Sequence, residues 1–257
     1  MDRIPFQEAG VMHRFYAESY SIVEGIARLS PEDERHAFRV LRLRSGDRVE
    51  IFADEKRYLA ELLETPSGGG TARLLSSLPS TEPRLQVTLF QALPKSDKME
   101  WIVQKAVELG CARIIPVIME RCVSRPKNGE MLHKRDRWQK IAREAGKQSG
   151  RCRIPAVEAP LPLHDLIQPA SALDTCVVAW EEEKSLSIPE VVSRFPATRS
   201  LGILIGPEGG ITPEEIHFVS GRFLPVTLGP RILRTETAGL ASLAAFFALY
   251  GEMGGLP

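Results

Sequence analysis

From Leu85 onward, apolar runs alternate with segments of helical periodicity, and this alternation narrows the fold more than any other feature of the chain. Leu85–Phe90, Arg113–Ile118, Thr175–Trp180, Leu201–Ile205 and a short Val226–Leu228 read as strands. Between them, Lys95–Leu109 places Met99, Ile102, Val103, Ala106 and Val107 at helical spacing and ends at Gly110. Arg135–Ser149 is a second helix, closed by Gly150. Thr212-Pro213-Glu214-Glu215 is a capping box with proline at the first helical position, and a final helix runs from about Glu236 to Tyr250. Strands and helices in this order predict an α/β domain with a mostly parallel sheet.

The first 80 residues follow a different pattern, of short strands around one helix. Ser30 and Pro31 with Glu32 and Asp33 make a helix start, and that helix is expected to stop near Ser45-Gly46-Asp47. Arg48–Phe52 and Tyr58–Leu63 suit a hairpin, and residues 66–70 a turn. The Leu-Pro-Ser-Thr-Glu-Pro stretch at 78–83 is the natural boundary. The expected domains are therefore 1–80, with 1–11 a flexible extension, and 81–257.

Composition enters through charge. Thirty-three basic residues balance thirty-three acidic ones. The balance is uneven along the chain, because residues 95–153 carry 15 basic against 7 acidic residues, whereas 154–257 carry 6 against 12. A basic middle points to a polyanionic partner, and a solvated helical face is the alternative. The N-terminal residues contain no apolar run suited to a signal peptide, and the longest apolar stretch, Leu240–Tyr250, is too short to span a membrane. Four scattered cysteines form no CxxC and have no histidine at zinc spacing, so reduced thiols, a cytoplasmic protein and no metal are expected.

Two loops carry the chemistry. Ile205-Gly206-Pro207-Glu208-Gly209-Gly210-Ile211 joins an apolar strand to a capped helix at the carboxyl end of a sheet, where such folds bind ligands. It is neither GxGxxG nor a P-loop. The alternative is a tight turn and nothing more. Leu228-Gly229-Pro230-Arg231-Ile232-Leu233-Arg234-Thr235-Glu236-Thr237-Ala238 also leads from strand to helix. Its apolar Ile232 and Leu233 suit an aromatic ligand, with Arg231 and Arg234 beside them. Glu236 could equally serve as a helix-terminal acid. The helix behind it is apolar on nearly every side and must be buried all round, in the core or against a second subunit.

Both loops together resemble the SPOUT class of RNA methyltransferases, and specifically the RsmE family, which methylates N3 of a uridine in 16S ribosomal RNA. The blocks Lys95–Gly110, Gln148–Arg151 and His36–Asp47 extend the resemblance over nearly the whole chain from His13. The resemblance implies a trefoil-knotted, mostly parallel sheet with helices on both faces, preceded by a small PUA-like β-barrel that grips RNA. It implies a homodimer through the Lys98–Leu109 helix and the C-terminal helix. It implies S-adenosylmethionine held by Ile205, Gly206, Pro207, Glu208, Gly209, Gly210, Leu228, Gly229, Ile232, Leu233, Thr237 and Ala238, with the Ala179-Trp180 strand end beside the adenine.

For transfer to uracil N3, Arg234 is the expected anion stabiliser and Glu236 a proton acceptor or uridine-positioning residue. Arg14, Arg39 and Arg42 in the small domain, with Lys95, Lys98, Arg121 and Arg151 in the basic middle, are the expected contacts to 16S ribosomal RNA on the small subunit. A non-catalytic RNA-binding or assembly factor on the same fold, and a metabolic enzyme using another nucleotide, are the competing readings.

Overall fold

In a computed structural model, residues 12–17, 21–53, 55–64, 70–124 and 128–253 are described. The expected extension at 1–11 and most of the turn at 66–70 lie outside them. The chain divides into two compact units: residues 1–82 with 150–153, and residues 83–149 with 154–257.

The first unit holds β1 (Arg14–Tyr16), β2 (Ile22–Val23), β3 (Ile26–Arg28), α1 (Pro31–Arg35), β4 (Arg48–Ala53), β5 (Lys56–Glu64) and β6 (Gly70–Leu78). The six strands form one sheet in the order β1-β4-β5-β6-β3-β2. Only β1 and β4 pair in parallel. Phe15, Ala27, Leu29, Val49, Ile51 and Leu62 form its core. α1 starts where the capping signal lies, with the Ser30 hydroxyl accepting the Asp33 N–H at 3.1 Å. It does not reach Ser45. A π-helical turn, His36–Val40, follows, and Arg42 at φ +56° ends it. Ala37 is the one residue of that turn that is buried, Val40 stands 65% exposed, and Phe38 and Leu41 pack partly buried against the core of the unit.

Glu82 closes this unit. Its carboxylate accepts from the Arg151 guanidinium at 2.6–3.0 Å and from the N–H groups of Cys152 and Arg153 at 2.7 and 3.1 Å. Burial pushes the Tyr16 phenol upward, and its hydroxyl donates to the Arg151 carbonyl.

The second unit begins with β7 (Gln86–Ala92), α2 (Lys98–Leu109), β8 (Arg113–Ile118), α3 (Asn128–Ser149), β9 (Ala156–Val157) and β10 (Leu161–Pro162). It continues with α4 (Ile167–Ser171), β11 (Thr175–Ala179), α5 (Ile188–Arg194), β12 (Ser200–Ile205), α6 (Pro213–Val219), β13 (Leu224–Val226) and α7 (Thr235–Leu249). The sheet order is β10-β8-β7-β12-β11-β13, with β9 beside β8, and every pair is parallel. Strands such as β12 are buried on both faces, which explains their unbroken apolar sequence. Gly110 ends α2 at φ +108°, a backbone only glycine adopts freely.

Several boundaries differ from expectation. α3 begins at Asn128 and not at Arg135. α2 begins at Lys98 and not at Lys95. α5 was not expected, although Ser187 and Glu190 form a full capping box that the Ser-x-x-Glu spacing announces. α2 and α7 run parallel: Lys98 meets Glu236 at their N-terminal ends, and Gly110 abuts the Phe247 ring at their C-terminal ends.

Two stability outcomes follow from this packing. Glu82→Ala removes the carboxylate that accepts from the nearly buried Arg151 guanidinium, and should cost about 3 kcal/mol in denaturant unfolding. Phe223→Ala removes a fully buried ring set edge-on to Phe90 at 5.7 Å, and should cost about 3–5 kcal/mol in the same assay.

Candidate active site

The order of strands places the site. β8 lies on one side of β7, while β12, β11 and β13 lie on the other, so successive connections diverge there and open a crevice at the carboxyl ends. Ala179 on β11 is in register with both Ile205 on β12 and Val226 on β13. Three strands therefore end at one level, and the loops that leave them enclose a pocket of about 400 Å³.

One wall is backbone. At Gly206 an added Cβ would come within 2.5 Å of the Ile211 side chain, and at Gly210 within 2.6 Å of the Glu181 carboxylate. Gly210 also sits at φ +76°. Only glycine lets the chain approach a ligand this closely. The opposite wall is apolar, from Leu228, Leu233, Ile205 and Ala238, with Trp180 at the edge.

A hydroxyl ties the two loops together. Thr235 Oγ1 donates to the Gly206 carbonyl at 2.6 Å and accepts from Gln91 Nε2 at 2.9 Å. Gln91 is fully buried beneath the pocket. Its Nε2 also donates to the Ala92 carbonyl, and its Oε1 has no hydrogen-bond partner.

Charge is clustered at the mouth. Lys98 Nζ donates to Glu208 Oε1 at 3.0 Å and to Glu236 Oε2 at 3.1 Å. The Lys95 N–H donates to the same Glu208 oxygen at 3.1 Å. Burial pushes the Glu208 carboxyl upward, but its own N–H, that of Lys95 and the Lys98 ammonium outweigh this and hold it below the ordinary carboxylate range. Hydrogen bonds to Glu208 and then Glu236 raise the Lys98 ammonium above its ordinary value. Arg231 and Arg234 complete the rim. Glu236 uses its carboxylate on Lys98, and no side chain caps α7.

The pocket gathers Trp180, Ile205, Gly206, Pro207, Glu208, Gly210, Leu228, Gly229, Ile232, Leu233, Arg234 and Ala238. Gly209, Glu236 and Thr237 do not line it, and Glu236 reaches the site only through its contact with Lys98. Gly209 packs against the Arg121 side chain, whose Nη1 donates to the Gly209 carbonyl at 2.9 Å. Thr237 is exposed on α7. Ile232 lines the mouth yet is 88% exposed. Glu181, Ile211, Thr227 and Thr235 line the pocket without having been expected to. Only their positions after β11, β12 and β13 and within the second loop could have marked them.

Among the expected RNA contacts, Arg39, Arg42 and Lys95 are exposed. Arg14 lies 3.4 Å from Glu50 and keeps part of its side chain in solvent. Lys98 lines the pocket and is paired with Glu208 and Glu236. Arg151 is corrected more strongly, since it is 4% exposed with its guanidinium on Glu82.

Fold and pocket define a parallel α/β protein that takes a small ligand across the ends of three strands. Residues 81–247 match the family model for an RNA methyltransferase domain, and residues 29–75 that for an RNA methyltransferase PUA domain. The ribosomal RNA small subunit methyltransferase E of Bacillus subtilis is 36% identical over 225 residues, 84% of this chain and 88% of that protein. The corresponding enzyme of Mycobacterium bovis is 31% identical, covering 90% and 89%. A crystal structure of the Neisseria gonorrhoeae enzyme bound to S-adenosyl methionine has a TM-score of 0.81 at 32% identity, covering 93% of this chain and 98% of that one. A Legionella pneumophila methyltransferase solved with the same cofactor has a TM-score of 0.78, covering 92% and 97%. The chain belongs to the ribosomal RNA small subunit methyltransferase E family.

Two outcomes test this geometry. Thr235→Val keeps the shape and removes the hydroxyl, leaving the Gly206 carbonyl and Gln91 without it. A loss of about 1–3 kcal/mol should appear in denaturant unfolding. Glu208 has a folded-state value below its unfolded one, so its contribution is present above about pH 4.3 and lost as pH falls further. Glu208→Gln should therefore flatten the acid side of the stability–pH curve and leave its shape unchanged near pH 7.

Proposed function

We propose that the protein methylates N3 of a uridine in 16S ribosomal RNA within the assembled small subunit. It is an S-adenosylmethionine-dependent methyltransferase of small-subunit ribosomal RNA, as its family membership and its cofactor-bound relatives support. The residues present fit that cofactor. Gly206 and Gly210 let Ile211 and Glu181 close against the backbone of the pocket wall, an apolar slot suits adenine, and Glu181 and Glu208 suit a cationic centre. When bound, S-adenosylmethionine supplies an electrophilic methyl group.

The observation that carries the reading is the Lys98–Glu208–Glu236 cluster with Arg234 at the mouth of that pocket. Uracil N3 holds a proton and attacks poorly until it is removed. Glu236 accepts the proton as the N3 lone pair bonds to the methyl carbon. Arg234, always charged, donates to the uracil oxygens that gain negative charge. The bound cofactor would supply the methyl group and keep the electron pair of the broken bond on its sulfur. The slot and loops hold the reacting atoms in line, which supplies much of the rate.

Arg14, Arg39, Arg42, Lys95 and Arg121 contribute RNA contacts in this reading, and Lys98 and Arg151 do not. The unit over residues 29–75, which matches the PUA model, serves to grip RNA. The C-terminal loops thread a trefoil knot, and two copies associate through α2 and α7. Along α7, Thr237, Ala241, Ala248 and Leu249 are left exposed on a helix that is otherwise apolar, and Trp101 on α2 is 46% exposed. The protein works in the cytoplasm. Among the described residues no helix is long and apolar enough to cross a membrane, and no three His, Cys, Asp or Glu residues are grouped to hold a metal.

Nucleoside mass spectrometry of 16S RNA and of small subunits treated with protein and labelled cofactor should find the methyl on uridine N3. Label on cytidine or ribose would refute the assignment, and absence of cofactor binding in calorimetry would favour a non-catalytic RNA-binding factor. Leu249→Asp should halve the molar mass seen by light scattering.

A further inference from the structure

Lys98 lies where three stretches of chain converge. It opens α2, and its ammonium reaches Glu208 in the first loop and Glu236 on α7. Lys95 gives its N–H to the same Glu208 oxygen, and Ser96 between them sits at φ +56°, left-handed backbone that costs an L residue energy. The turn ahead of α2 is thus held in a strained shape that turns its cation toward two acids on other elements. Other charged groups surround the cluster. Arg231 and Arg234 come from the second loop, and Glu181 follows β11. Asp97 and Glu100 flank Lys98 in sequence, and Glu100 is taken by Arg137 at 2.6 Å.

Two carboxylates that share one cation form a coupled set. Without the cation they repel, and one of them keeps a proton at higher pH. A protonated carboxyl offers hydrogen where uracil N3–H needs an acceptor. With the ammonium in place, Glu236 has a fixed direction.

We propose that Lys98 is a positioning residue of the methyl transfer, bracing Glu236 against Glu208 so that its ionised carboxylate meets the N3–H of uracil. This rests on the reading of Glu236 as proton acceptor. Lys98 itself touches neither base nor methyl group.

The test uses the full chain as wild type, Lys98→Met, Lys98→Arg and Glu236→Gln, with Lys98→Gln in reserve should the methionine variant not fold. Three measurements are made: carbon-13 titration of glutamate carboxyls without cofactor, calorimetric binding of S-adenosylmethionine, and single-turnover methylation of small subunits from pH 5 to 9. In Lys98→Met the carboxyl signal that Glu236→Gln removes should titrate at higher pH, and the acid limb of the rate profile should move up by about one pH unit. The rate at pH 7, read at saturating cofactor so that any change of affinity through Glu208 drops out, should fall about tenfold because Glu236 loses its fixed direction. Lys98→Arg should restore most of the rate. A titration and acid limb unchanged in Lys98→Met would overturn the proposal, as would an arginine variant no better than methionine. Wild-type rates in Glu236→Gln would overturn the proton-acceptor reading instead, and the cofactor-free titration tells that failure from failure of the brace.

Discussion

One hydroxyl joins the two halves of the pocket. Thr235 opens α7 and Gly206 ends the strand–loop transition after β12, yet the Thr235 hydroxyl donates to the Gly206 carbonyl at hydrogen-bond distance. Gln91, buried at the end of β7, fixes which way that hydroxyl points by donating to its oxygen. A hydroxyl committed in this way has its one proton on Gly206 and cannot turn elsewhere. The glycine wall, the apolar slot and the charged mouth all inherit their relative positions from that link. Thr235 is 5% exposed and Gln91 fully buried, which limits competition from water for that link.

The charge pattern reads differently once side chains are placed. Residues 95–153 carry a large basic excess, but much of it is spent within the protein. Lys98 is shared by two acids, Arg137 is paired with Glu100, Arg113 with Glu158, and Arg151 is turned inward onto Glu82. Arg121 is exposed while its guanidinium supports the Gly209 carbonyl.

Much of this was legible from residues in order. The apolar runs of β8 and β12, the capping box at Thr212 and the glycine after α2 each state a local structure with a physical reason, and the structure has them there. The pocket's contiguous residues were legible for the same reason, since both loops announce themselves by glycine and proline at strand ends. What escaped depends on distance in space. Gln91 meets Thr235 across 144 residues, Lys98 meets Glu236 across 138, and Arg151 meets Glu82 across 69. No local pattern marks such pairs. The π-helical turn after α1 escaped because a helical start signal says nothing about how the helix ends.

The parallel run of α2 and α7 has an electrostatic corollary. Each helix is an aligned stack of peptide dipoles with partial positive charge at its start, and both starts lie at the Lys98–Glu236 pair. Glu236 therefore answers two fields at once, that of an ammonium and that of a helix end. The group assigned to withdraw a proton is also the group that neutralises the head of the longest apolar helix in the protein. In the proposed mechanism, chemistry and fold stability would then draw on one carboxylate.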